Sequence, residues 1–150
     1  MMYKTHLIFG ILSGLVFLRI FGISNPWLFM LVVAIGASFP DIDFHKSKIG
    51  SWFKPLSYLL NLFLGHRGMI HSLVGAFIAY FIFMLFFGST YAGAVFIGYS
   101  SHLFLDSFTP LGIRPFWPLK PKLNGIVRSG GLVELILFFL FLVSALLMLA

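Results

Sequence analysis

A chain of 150 residues that is 60% hydrophobic and 9% charged, with a mean hydropathy of +1.04, is not a soluble globular domain, in which about a quarter of residues are charged. It reads as an integral membrane protein of a length suited to one compact bundle, residues 1–150, rather than two domains. The absence of cysteine excludes disulfides and any thiolate metal site, and the net charge of +6 is better read as loop charge following the positive-inside rule than as a nucleic-acid footprint.

The first apolar run is His6 to Gly22, preceded by Lys4. It lacks a small-x-small cleavage site and runs into a second apolar stretch, so it is expected to be a retained helix rather than a signal peptide. Arg19 near its far end can snorkel to the interface. Ser24-Asn25-Pro26 is a turn, with Pro26 suited to open the next helix. The second run, Trp27 to Phe39, is short against the roughly 20 residues of a span, so it must take in Pro40 and some of the residues beyond it, or tilt.

A polar segment runs from Pro40 to Gly50, carrying Asp41, Asp43 and His45. Leu56 to Leu64 is apolar but too short to cross, which predicts an interfacial or re-entrant helix. After Gly65-His66-Arg67-Gly68, the third span runs from His71 to Gly88, and Ser89-Thr90 is expected as a tight turn. The fourth, Tyr91 to about Phe108, carries His102 and Asp106 at i and i+4, on one face. A Pro-rich loop with Arg114, Lys120, Lys122 and Arg128 leads to the last span, Gly131 to Ala150, which Glu134 opens. The fold class expected is an all-α polytopic bundle of about five transmembrane helices.

Loop charge then fixes an expected topology. The turns after the first and third spans and the C-terminus carry no Lys or Arg, whereas the loops on the other side do. That predicts a plasma or inner membrane protein with a cytoplasmic N-terminus and an external C-terminus. In this arrangement every His, Asp and Glu except His45 falls at the cytoplasmic end of its helix. Each group alone has a bland reading. His102 and Asp106 could be a buried pair locking helix packing, and Asp41 and Asp43 a solvated helix terminus. Glu134 could complement a helix dipole, and Arg67 could be either a positive-inside charge or a phosphate clamp. Their coincidence at one depth points instead to a shared site, because ionisable residues inside a membrane are costly and functional by default.

His6, Asp41, Asp43, His66, His71, His102 and Asp106 exceed the needs of one catalytic zinc, which takes three protein ligands and water. They suit two metals, or three if carboxylates bridge. Imidazole and carboxylate without thiolate fit zinc, and also manganese or iron. Such ions would generate hydroxide near neutral pH, and Arg67 with the basic loops would favour an anionic phosphoester among the membrane lipids. The rival expectation is a metal-ion or proton transporter, with polar groups along a path near the midplane. A structural membrane protein with a non-catalytic metal site is the third.

The ordered motifs Thr5-His6 with Gly10, Phe39-Pro40-Asp41-Ile42-Asp43 with Ser47 and Gly50, His66-Arg67-Gly68 with His71-Ser72, Ser101-His102 with Asp106, Thr109 and Gly112, Phe116-Trp117-Pro118, and Ser129-Gly130 with Glu134 cover nearly the whole chain. They resemble the YdjM-like family of small, LexA-regulated, membrane-bound metal-dependent hydrolases. That family is grouped by remote similarity with zinc-dependent phospholipase C and P1-type nucleases, which implies phosphoesterase chemistry. The resemblance implies His6, Asp41, His66, His71, His102 and Asp106 as metal ligands, with Asp43 a further ligand or a catalytic group beside Arg67. Thr5, Ser72, Ser101, Thr109 and Glu134 would hold those ligands in place. One departure is Ile70, where Thr is commonly expected.

Overall fold

The computed structural model describes residues 1–44, 47–64 and 68–150, with backbone only at residues 60, 63 and 64. Among them the chain is helical: α1 (Tyr3–Phe21), α2 (Pro26–Ser38), α3 (Lys54–Leu64), α4 (Leu73–Phe87), α5 (Ser89–Ser107) and α6 (Leu132–Leu149). A 3-10 turn, Phe39–Asp43, continues α2 without a break. The expected need for the second span to take in Pro40 is met this way, giving an 18-residue segment from Pro26 to Asp43. Proline has no N–H to give to the helix ladder, which suits it to the first turn of the tightened segment.

Helix ends obey local chemistry. Asn25 Oδ1 accepts the Leu28 N–H (3.2 Å) and Pro26 opens α2. Ser72 Oγ accepts the Gly75 N–H (3.4 Å) at the start of α4. Gly22 closes α1 in the left-handed region (φ 56°), its N–H donating to the Leu18 carbonyl. The expected Ser89-Thr90 turn is instead the first turn of α5. Gly88 alone, at φ 82°, reverses the chain between α4 and α5.

Three helical segments, Tyr3–Phe21, Pro26–Asp43 and Leu132–Leu149, are long and apolar enough to cross a membrane, and α4 is a shorter apolar helix. α5 has 19 residues but carries the polar groups that lower its hydropathy. It occupies the centre of the bundle, packed against α1, α2 and α4, while α6 lies outside on α1. Large apolar residues such as Trp27, Leu85 and Leu147 remain exposed, as lipid-facing positions do. The eleven-residue α3 is about 16 Å long, too short to span. It packs on the 3-10 turn, and Asn61 Nδ2 donates to the Asp43 carbonyl (3.2 Å).

Helices in lipid have no hydrophobic driving force between them, so small residues set how closely they approach. A Cβ on Gly98 would strike the Val33 carbonyl oxygen, and one on Gly36 would meet the Val95 carbonyl oxygen at 2.5 Å. Backbone on backbone is therefore how α2 and α5 meet. On α1, a Cβ at Gly10 would meet Ala37 Cβ at 2.5 Å. Gly93, by contrast, faces open space. Thermal unfolding in detergent should read this difference. Gly98→Val is expected to lose about 3 kcal/mol or more through overpacking, whereas Gly93→Ala should stay within about 0.5 kcal/mol of the wild type.

Candidate metal centre

The helices alternate in direction, so the start of α1, the end of α2, the entry to α4 and the end of α5 lie at one end of the bundle. His6, Asp43, His71, His102 and Asp106 meet there, all buried. The Asp41 side chain, 22% exposed, is the outward edge of the cluster.

Asp106 is the hub. Its Oδ1 lies 3.3 Å from His6 Nε2 and 2.9 Å from the Met1 amine. Its Oδ2 lies 3.7 Å from both His71 Nε2 and His102 Nε2. The two oxygens thus face two different sets of donors. His102 Nε2 is also 3.8 Å from Asp41 Oδ1. The His6 and His102 rings stack at 3.8 Å between centroids, and His71 stands edge-on to His102 at 5.4 Å.

These separations bear on whether an ion fits. A hydrogen bond between such groups is about 2.7–3.2 Å long, whereas two ligands each about 2.0–2.1 Å from one tetrahedral ion lie roughly 3.3 Å apart. His102 Nε2 is buried without a hydrogen-bond partner, as is His6 Nδ1. An unsatisfied buried imidazole nitrogen aimed at two carboxylates is a poor hydrogen-bonding arrangement and a good ligand arrangement. Two overlapping groups, His6–His102–Asp106 and Asp41–His71–His102, each keep their ligand atoms within 4.8 Å of one another.

The second ring nitrogens of His71 and His102 are occupied by carboxylate and backbone. His102 Nδ1 is 2.8 Å from the Ala37 carbonyl oxygen. That contact places the proton on Nδ1 and leaves the Nε2 lone pair facing the cluster. His71 Nδ1 is 3.2 Å from Asp43 Oδ2, so its Nε2 likewise faces Asp106. Asp43 stands outside both ligand groups, beside His71, in the place of a carboxylate that orients a ligating imidazole.

The remaining expected residues serve the backbone around the ligands. Thr109 Oγ1 donates to the Asp106 carbonyl (2.8 Å) and accepts the Gly112 N–H (3.2 Å), closing the chain beyond α5. Ser72 caps α4 one residue after His71 and donates to the Met69 carbonyl (2.5 Å). Ser101 Oγ donates to the Gly98 carbonyl (2.6 Å), a bond within its own helix. Thr5 is fully buried. Glu134 takes the Met2 N–H on Oε1 (2.5 Å) and the Gly130 N–H on Oε2 (2.6 Å). It therefore reaches back beyond its helix start, much as a capping box does, and ties the chain entering α1 to α6. Ser47 Oγ donates to the Asp41 carbonyl (2.6 Å) and accepts the Gly50 N–H (2.9 Å), folding the segment after Asp41. His45, His66 and Arg67 lie outside the described residues.

Two partners escaped the sequence reading. Tyr99, fully buried, donates to the Ile70 carbonyl (2.5 Å) and so holds the residue before His71. Its position three residues before His102, on the same helical face, was the available signal. The Ala37 carbonyl left no signal, because any residue type supplies one.

The profile of the family described as "YdjM inner membrane protein" matches residues 1–150. The Bacillus subtilis (strain 168) protein YvsG, itself uncharacterized, is 35% identical over 139 residues, covering 87% of this chain and 83% of its own. The Escherichia coli (strain K12) inner membrane protein YdjM is 34% identical over 87 residues, 54% of this chain and 44% of that protein. No solved structure matches the chain. A helical membrane bundle with its motifs in this order, matched from end to end by the family profile, belongs to the YdjM inner membrane protein family.

Proposed function

We propose that the chain is a membrane-embedded, metal-dependent hydrolase acting on a lipid-linked phosphoester at the cytoplasmic interface. The observation that carries this reading is the pair of anchored imidazoles: His71 and His102 each have Nδ1 beside an oxygen and Nε2 turned toward Asp106 Oδ2. Asp41, His71 and His102 would hold one divalent ion, and His6 and Asp106, which form a second group with His102, would contribute to another. Nitrogen and oxygen donors without sulfur suit zinc first, then manganese or iron. When bound, such ions lower the pKa of water to about 7 and polarise phosphoryl oxygens.

The chain's own part is to fix those donors and leave one side open. Asp41 is the exposed member, so substrate approaches past the 3-10 turn. Arg67, placed by sequence four residues before His71, supplies the cation for the phosphate. Asp43 keeps the His71 ring turned. The clustering of the polar groups at one end favours this reading over a conduit, which needs donors near the midplane.

Purified protein should carry transition metal by elemental analysis, and His102→Ala with Asp106→Ala should abolish it. A wild type that purifies and reconstitutes without metal would overturn the assignment. Asp43→Asn should weaken metal affinity by roughly 10–100-fold while leaving the fold intact, measured by competition with a chromogenic chelator. The orientation has its own test, since the chain has no cysteine. Ser24→Cys should react with an impermeant maleimide from outside intact cells, and Lys122→Cys only after lysis.

A further inference from the structure

The outward edge of the candidate site is a ridge. Ile35, Phe39 and Ile42 succeed one another along α2 and its 3-10 extension, with Ile35 46% and Phe39 42% exposed. A groove lies on each side of it, and all three ridge residues wall both. The first, about 600 Å³, runs between the ridge and the start of α1 at Tyr3 and Leu7, and is also walled by Ile49, Trp52 and Phe53. The second, about 380 Å³, runs between the ridge and α4, from Ile70 past Gly75 and Ile78 to Phe83.

Both grooves begin at the neighbours of the ligands. Tyr3 and Leu7 flank His6, Ile70 precedes His71, and Ile42 sits between Asp41 and Asp43. The walls are apolar, and the hydroxyl of Tyr99 on the second groove is taken up by the Ile70 carbonyl. From Gly75 to Phe83 the second groove tracks α4 for about 12 Å, close to the roughly 15 Å of one leaflet. At the mouth of the first, exposed Trp52 and Phe53 are the aromatic pair expected at headgroup depth. Lys48 Nζ stands 5.1 Å from the centre of the Tyr3 ring, a cation at the same rim.

Two apolar grooves that diverge from one polar mouth fit a ligand with one polar head and two tails. We propose that the substrate is a two-chain anionic phospholipid, straddling the ridge with one acyl chain in each groove and its phosphate at the Asp41 edge. This deepens the hydrolase reading and rests on it for the reaction, though not for the binding. A single-chain polyprenyl phosphate would leave one groove without its occupant.

The test uses the whole protein in detergent, with lipid retention read by native mass spectrometry. The probes are phosphatidylglycerol, its single-chain lyso form and a polyprenyl phosphate, and metal content is measured on the same samples. The two-chain lipid should be retained about tenfold better than either single-chain probe, a margin of the size pocket shape supplies. Ala34→Phe, on the first groove, and Ile78→Trp, at the 43%-exposed rim of the second, should each abolish that margin while metal content and thermal unfolding stay unchanged. Equal retention of one- and two-chain probes, or folded variants that keep the wild-type margin, would overturn the proposal. Metal binding and hydrolysis without chain preference would leave the hydrolase reading standing and remove this one. A two-chain preference sensitive to both variants, in a protein that binds no metal, would do the reverse.

Discussion

Asp106 is the group on which the arrangement depends. A carboxylate almost fully shielded inside a membrane bundle carries a desolvation penalty of several kcal/mol unless it is compensated. Its two oxygens are served from different directions: Oδ1 by the segment that starts α1, Oδ2 by the entry to α4 and by its own helix. No single helix can surround a carboxylate in this way. The need to compensate Asp106 is therefore also a constraint on which helix ends must meet, and it explains why the polar groups sit where α1 begins and α2 and α5 end.

Helix packing makes that meeting close enough to matter. The Gly98 and Gly36 contacts bring α5 and α2 together backbone to backbone, and this is what places the Ala37 carbonyl within 2.8 Å of His102 Nδ1. A side chain at Gly98 would push the two helices apart and move that carbonyl away from the ring. The imidazole would then lose both its tautomer and its aim. The small residues of the interface and the chemistry of the cluster are thus one device. A ligand constellation needs tolerances of about 0.5 Å, and only rigid, close-packed elements supply them.

Much of this was legible in the sequence, for identifiable reasons. The spans announce themselves because lipid requires long apolar runs, and the polar exceptions stand out against them. Alternating helix direction, which follows from short connections between successive helices, is enough to bring His6, Asp41, His71, His102 and Asp106 to one end. What sequence could not supply was the division of labour. Nothing in the spacing of Asp41 and Asp43 says that one faces His102 while the other stands beside His71. On a 3-10 turn, at three residues per turn, side chains two apart point about 120° from one another, so the two carboxylates reach different imidazoles. The turn expected at Ser89-Thr90 failed for a related reason: a glycine in the left-handed region reverses the chain alone and leaves the polar residues after it free to start the next helix.

The opposite end of the bundle completes the physical picture. Between the cluster and that end lies a packed core in which Phe29, Val33 and Val95 are almost fully buried. Beyond it is a cavity of about 590 Å³, walled largely by apolar residues such as Phe17, Phe21 and Ile97. The one cation on that side within a described helix, Arg19, donates to the Met148 carbonyl (2.6 Å) in the last turn of α6, satisfying a helix end. Among the described residues no ionisable side chain bridges the core. A charged species bound at the cluster would have to cross it with no polar partner, a barrier of several kcal/mol or more. The cluster is thus polar on one side and closed by an apolar core on the other.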